Sequence, residues 1–219
     1  MKWSPELAYA VGLIVTDGCL SPDGRHIDFT SKDLELVEVF KQCLGLQNRI
    51  GVKSSGSSQR RYYRVQFANV LFYRWLVGLG LTPRKSKTLG PLRIPDKFFV
   101  DFLRGCLDGD GNIRVYPDPK FPASQRLYVR FISASFAYTC WLQQNIQRLI
   151  GVQGYIQPTR KSYELTYAKR ASKILLAKLY YQPSVPCLRR KRVLAEEFLS
   201  RGGGTADALA SGASGHERP

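Results

Sequence analysis

The sequence predicts an α+β fold: two pseudo-symmetric αββαββα halves, each with an antiparallel sheet, packed through a matched pair of helices. Three observations predict it. Ala10 to Gly18 and Leu103 to Gly111 both read as the ends of apolar helices, with small residues between large ones, then an acid and a glycine. Gly12, Asp17 and Gly18 recur 93 positions later as Gly105, Asp110 and Gly111. The junction Leu44 to Ile50 recurs as Ile150 to Ile156, and Tyr63 to Ala68 recurs as Tyr163 to Ala168.

Taken in order, Ser4, Pro5 and Glu6 supply an N-cap, a first-position proline and a first-turn acid for a helix over 4–17. Cys19 to Thr30 alternates around the turn Ser21-Pro22-Asp23-Gly24 and reads as a hairpin. Apolar residues at 34, 37, 40 and 44 give a helical period. Asn48 to Phe67 reads as a second hairpin around 54–58, and 69–79 as a third helix. Residues 1–80 form the first half, and 81–97, rich in Pro, Lys and Arg, the linker. The order then repeats over 98–200: a helix to Asp110, a hairpin over 112–133 with a proline-rich tip at 117–124, and a helix over 134–150. Helices are expected at 169–180 and 188–200. Residues 201–219, mostly Gly, Ala and Ser, are expected to be a disordered tail.

Small residues on one helix face let two helices approach until their backbones nearly touch, and Gly105 and Gly109 have the required four-residue spacing. Gly18 and Gly111 fit the left-handed position just past a helix end. An acid in the last helical turn faces the negative end of the macrodipole, which costs about 0.3–1 kcal/mol. If the helices pack together, Asp17 and Asp110 also repel each other. Such a cost incurred twice points to a compensating cation, and Mg²⁺, which takes oxygen ligands and often one or two carboxylates, suits it. The competing reading is a pair of ordinary packed helices with acidic ends.

These residues resemble the paired signature helices of the LAGLIDADG homing endonucleases, in the single-chain form that carries both motifs. Leu103 to Gly111 matches the pattern well. The first copy keeps Gly12, Leu13, Ile14, Asp17 and Gly18 but has Val15 where the family has its first aspartate, which is not the metal ligand. The resemblance implies saddle-shaped sheets, a monomer with internal pseudo-twofold symmetry, and metal-dependent hydrolysis of one DNA phosphodiester per strand. Asp17 and Asp110 are the expected ligands of Mg²⁺, with Mn²⁺ or Ca²⁺ as substitutes; Asp108, paired with Val15, is left out of the metal site. The family also uses basic residues around the metal-bound water. Arg84-Lys85 and Arg190-Lys191 share the 106-residue offset of the repeated junction, which makes Lys85 and Lys191 candidates and Lys87 an alternative.

Composition agrees with a polyanionic partner. Lys and Arg outnumber Asp and Glu by 33 to 17, a net charge of +16. No lipidation signal or basic amphipathic helix points to a membrane. Five cysteines, an odd count without CxxC spacing, argue against a zinc or disulfide framework, and the expected compartment is intracellular and reducing. Cys43 and Cys140 are expected in the core. The two histidines, His26 and His216, are too few for a histidine-metal nuclease, and no P-loop or Ser/His/Asp set is present.

Period-two alternation sorts the strand residues into faces. With Ile27, Phe29, Tyr63, Val65 and Phe67 inward, the other face carries His26, Asp28, Tyr62, Arg64 and Gln66. In the second half, Leu127, Val129 and Phe131 inward leave Arg126, Tyr128 and Arg130 outward, beside Asn112, Arg114 and Tyr116. Lys53, Arg60, Arg160 and Lys161 fall near hairpin tips. Such forked and planar side chains suit base edges and phosphates of double-stranded DNA in the major groove. The expectation is a site-specific double-stranded endonuclease with a long asymmetric target. The alternatives are a relative that binds DNA without cutting, and a maturase that binds intron RNA.

Overall fold

A computed structural model describes residues 1–55, 58–121 and 125–200, and side chains other than those of 54–60. The expected disordered tail at 201–219, parts of the turns at 54–58 and 117–124, and the Arg60 side chain lie outside the described residues. Helix α1 spans Pro5–Asp17, started by the Ser4 hydroxyl, which accepts from the Leu7 amide at 3.1 Å. It is followed by β1 (Gly18–Leu20), β2 (His26–Ser31), α2 (Leu34–Leu44), β3 (Gly51–Ser55), β4 (Ser58–Ala68) and α3 (Val70–Leu79). The Asn69 side chain caps α3 through the Phe72 amide.

The second run repeats the first: α4 (Phe99–Asp108), β5 (Asn112–Pro117), β6 (Gln125–Ser133), α5 (Phe136–Ile150), β7 (Tyr155–Pro158), β8 (Tyr163–Ala168) and α6 (Lys169–Leu179). The two antiparallel sheets have the same order, β1-β2-β4-β3 and β5-β6-β8-β7. Their registers match as well: Ser31 faces Tyr63 where Ser133 faces Tyr163. A seventh helix, α7 (Arg189–Ser200), has no counterpart in the first run. The fold is therefore α+β with two repeated halves.

Each sheet buries its apolar rows beneath helices. Phe29 stacks on Phe40 of α2 with centroids 4.6 Å apart, and Val65 and Phe67 complete that floor. On the other side, Trp141 of α5 meets the rings of Phe99 and Phe102 edge-on, each at 6.0 Å. The stretch 81–97 is packed rather than loose, because Leu81, Leu89 and Leu92 are all buried.

Three expectations are corrected. Gly18 and Gly111 are not left-handed caps: Gly18 has φ −87°, and neither is among the positive-φ glycines, whereas Gly45, Gly80 and Gly151, which end α2, α3 and α5, are. What Gly18 and Gly111 supply is room. A Cβ on Gly18 would stand 2.6 Å from Ile14 Cα, and one on Gly111 would stand 2.8 Å from Leu107 Cα. Helix α4 ends at Asp108 rather than Asp110, so of Asp17 and Asp110 only Asp17 occupies a last helical turn. Finally, Cys43 and Cys140 are half-buried, and the core thiol is Cys106, which the helix pair encloses.

Candidate catalytic centre and nucleic-acid face

The site is built where α1 and α4 run against each other. A Cβ on Gly12 would lie 2.2 Å from the Phe102 carbonyl oxygen, and one on Gly105 the same 2.2 Å from that of Tyr9. The contact is thus backbone on backbone and reciprocal. Further along, a Cβ on Gly109 would lie 2.0 Å from Thr16 Oγ1. This approach sets the C-terminal ends of the two helices side by side, each followed by the first strand of its sheet.

Asp17 and Asp110 both line a cavity of about 590 Å³ at that end, together with Tyr62 of the first sheet and Asn112 and Arg114 of the second. Burial, then the charge of Asp110, raises the Asp17 carboxyl from 3.8 to about 7, against the pull of Lys191 and Lys85. Asp110 is open to solvent at its rim yet recessed, and lost hydration raises it while Lys85 and Lys191 draw it down. Two carboxylates that share one cavity, each raised by lost hydration, suit a divalent cation. Among the described residues, no group of three or more His, Cys, Asp or Glu is placed to hold a metal. The two carboxylates are oxygen donors of the kind a hard divalent cation takes, and such an ion would draw its other ligands from water and substrate phosphate.

Both expected lysines are at this centre, in different states. Lys85 is buried, and its Nζ donates to the Gly18 carbonyl at 2.5 Å, its one hydrogen bond among the described residues. Lys191 is also buried, but its Nζ donates to three carbonyls: Leu107 at 2.5 Å, Asp108 at 2.9 Å and Gly111 at 2.7 Å. An ammonium has three donors, so Lys191 has none left. Burial lowers both lysines, Lys191 to about 8, with neighbouring acids opposing the fall. Lys87, the alternative, is exposed and lines a separate pocket beside Arg160 and Lys161.

This difference predicts unequal stability effects. Lys191→Met strands three buried carbonyls and is expected to cost about 2–4 kcal/mol, against about 1–2 kcal/mol for Lys85→Met. Urea unfolding of the two variants measures both. Equal losses would mean that the three carbonyl bonds are not what holds this end of α4.

Asp108 also borders the cavity, but its carboxyl group is taken up in a buried network. Its carboxylate accepts from the Tyr9 hydroxyl at 2.8 Å, the Leu188 amide at 2.7 Å and the Tyr180 hydroxyl at 3.4 Å. It thereby ties α1 and the start of α7 to α4 and sets Lys191 in place. Arg104, fully buried, holds the preceding loop through the Pro186 carbonyl at 2.8 Å and pairs with Asp101 at 2.7 Å. Neither role was readable from the sequence; the only trace of the first is that Asp108 has Val15 as its counterpart.

The outward sheet rows lie as the alternation predicts. Asn112, Arg114 and Tyr116 face Arg130, Tyr128 and Arg126 across β5 and β6, and Lys53 faces Tyr62. Gln66, Lys53, Arg114, Tyr116, Arg160 and Lys161 are exposed, while His26, Asp28, Tyr62, Arg64, Asn112, Arg126, Tyr128 and Arg130 are half-buried. Several have partners that the sequence did not announce. His26 Nδ1 bonds the Asp23 carboxylate at the hairpin turn. Arg126 makes a two-pronged pair with Asp118, at 2.7 and 3.2 Å, from within the proline-rich tip. Arg190, next to Lys191, crosses between the halves to Asp33 at 2.9 Å. Among the described residues, no helix is long and apolar enough to cross a membrane.

Comparison with known proteins places these features. Residues 4–76 match the family model of the LAGLIDADG-like domain. No curated protein sequence matches the chain significantly. Among solved structures, full-length DUF199/WhiA from Thermatoga maritima aligns over 92% of this chain and 62% of its own, at 14% identity and a TM-score of 0.59. The present chain thus spans less than two thirds of that protein. The LAGLIDADG meganuclease I-AabMI, bound to uncleaved DNA, aligns over 92% of this chain and 91% of its own, at 16% identity and a TM-score of 0.58. I-DmoI in complex with DNA and Ca aligns over 88% and 97%, at 14% identity and a TM-score of 0.57. At these identities the likeness is one of fold.

Proposed function

The chain carries a LAGLIDADG-like domain and folds throughout as two-half LAGLIDADG proteins do, and on that premise we propose that it is a site-specific, divalent-metal-dependent DNA endonuclease. The observation that carries this reading is the meeting of Asp17 and Asp110, one acid from each half, in a single cavity bordered by both sheets. The fold alone does not choose, since DUF199/WhiA shares it. The DNA and Ca of the I-DmoI complex and the DNA of I-AabMI support the partner and the kind of ion. No observation here favours RNA.

The net charge of +16 draws the chain to duplex DNA, and the outward rows of the two sheets lie along it. Asp17 and Asp110 would hold the cation, Mg²⁺ foremost with Mn²⁺ or Ca²⁺ as substitutes. When bound, such an ion polarises phosphoryl oxygens and makes water a better nucleophile. Two of the Lys85 donors have no acceptor among the described residues and would serve a phosphate oxygen or water near the acids. Lys191, with all its donors on carbonyls, fixes the end of α4 and adds positive charge. Each half addresses one strand, so one phosphodiester per strand is hydrolysed.

The test is cleavage of a randomised duplex library in Mg²⁺ by the wild type, Asp17→Asn and Asp110→Asn. Enrichment of one long asymmetric site, cut on both strands by the wild type and at least a thousandfold slower by either variant, is expected. Retention of duplex without cutting in Mg²⁺ or Mn²⁺ would leave a DNA-binding protein and remove the enzyme.

A further inference from the structure

The two sheets match strand for strand and register for register, yet one pair of charges is transposed between them. In the first sheet the acid stands on β2 and the base on β4, where Arg64 Nη2 donates to Asp28 Oδ2 at 2.9 Å. In the second, the base stands on β6 and the acid on β8, where Arg130 Nη1 lies 3.8 Å from Glu164 Oε2. The ladders fix the equivalence. Asp28 faces Gln66 where Arg130 faces Thr166, and Thr30 faces Arg64 where Ile132 faces Glu164.

A cross-strand ion pair contributes the same whichever strand carries the base. Sheet stability therefore gives no reason for the transposition. What it changes is the pattern offered outward, on the rows that also carry Gln66 and Asn112. All four charged side chains are neither buried nor free: exposures are 26% and 15% for Arg64 and Asp28, and 28% and 27% for Arg130 and Glu164. The Nε of both arginines is enclosed and has no hydrogen-bond partner among the described residues, so neither guanidinium is satisfied by its carboxylate.

We propose that this pair is a specificity determinant that sets which strand carries guanine at one G·C pair in each half-site. Arginine reads guanine through O6 and N7, and a carboxylate accepts from the cytosine amine. The inference rests on the duplex-DNA reading above. Two halves related by a pseudo-twofold axis with identical side chains would select guanine on opposite strands at the two related positions, as in a palindrome. With the charges transposed, the guanines fall on the same strand. The asymmetry of the target is thus written in part by exchanging an acid and a base at equivalent ladder positions.

The experiment is selection of duplexes by binding without metal, from a randomised pool, for the wild type and for Asp28→Arg/Arg64→Glu. The double variant keeps an ion pair of opposite sense. The wild type is expected to select guanine on the same strand at the two related positions. The variant is expected to move the first-half guanine to the other strand, with a preference of about ten- to hundredfold, and to leave the second half unchanged. Arg130→Glu/Glu164→Arg is expected to move the second guanine instead, and it serves if the first variant fails to fold. Unchanged base preference in folded variants overturns this inference alone. A wild type that enriches no duplex overturns the DNA reading, and this inference with it.

Discussion

Replacing Gly12 with alanine is expected to remove more than about 4 kcal/mol of stability, most of what a domain of this kind possesses. The added carbon would meet the Phe102 carbonyl oxygen at 2.2 Å, the Cys106 nitrogen at 2.9 Å and the Gly105 Cα at 2.9 Å. All three are backbone atoms of a regular helix, so no rotamer change relieves the clash, and overpacking of this kind exceeds the usual 1–3 kcal/mol. The helices must part, and α4 carries Phe102, Leu103 and Leu107 out of the core with it. Gly105→Ala should behave alike, since its Cβ would meet the Tyr9 carbonyl oxygen at the same 2.2 Å. Gly78 in α3 is the control: nothing lies within 4 Å of its Cβ position. Alanine there should stabilise by about 0.5–1 kcal/mol through helix propensity alone. Denaturant unfolding of the three variants measures the contrast, and a Gly12→Ala chain within about 1 kcal/mol of the parent would show that the backbone contact is not essential.

Asp17→Asn is expected to yield a chain that no longer cuts and yet is more stable than the parent at pH 8. Burial and the facing Asp110 raise Asp17 to about 7 in the folded chain, against about 3.9 for an aspartate in an unfolded one. Below about pH 4 both states hold the proton and the group contributes nothing to stability. Between about 4 and 7 only the folded state keeps it, so folding takes up a proton and stability falls as pH rises. Above 7 the full penalty is in force. Asparagine removes it, with a gain on the order of 1–3 kcal/mol at pH 8 that shrinks to nothing toward pH 4. Added Mg²⁺ should raise the thermal midpoint of the parent at pH 8 and leave that of Asp17→Asn in place, because only the parent keeps both acids. Cleavage should in turn fade as pH drops through 7. A variant less stable than the parent at pH 8, or a gain that ignores pH, would show that Asp17 carries no unrelieved charge.

Much of this architecture was legible because the chain states it twice. The match of Gly12 and Asp17 with Gly105 and Asp110 located the helix pair and its acids, and the 44/150 junction marked the same helix-to-strand step in both halves and gave an offset that led to Lys85 and Lys191. What misled was glycine. It serves both a left-handed backbone and a close approach, and nothing in the sequence around Gly18 and Gly111 separates the two uses. The same ambiguity extended α4 to Asp110. Beyond the repeat, sequence periodicity is blind to long-range partners. Asp108 reads as one more acid near a helix end, and its duty appears only when Tyr9 and the Leu188 amide, distant in sequence, converge on it. Asp118 likewise sits in a proline-rich tip that gives no sign of holding Arg126. Cys43 falls on a helical period, but its place beside the cleft between α2 and the 183–193 stretch leaves it only half covered.

The glycine contact between α1 and α4 also separates what can vary from what cannot. Because the contact at Gly12 and Gly105 is backbone against backbone, no side chain sets how closely the two helices approach there. The outward rows of the sheets form no part of the joint. Outward residues away from the cavity can therefore be exchanged, one half at a time, without moving that joint, while Tyr62, Asn112 and Arg114, which line the cavity with the two acids, are kept. A library that randomises the outward positions of β2, β4, β6 and β8 other than Thr30 and Tyr62, while holding Gly12, Gly105 and Gly109, draws on that independence: new recognition on an old ruler.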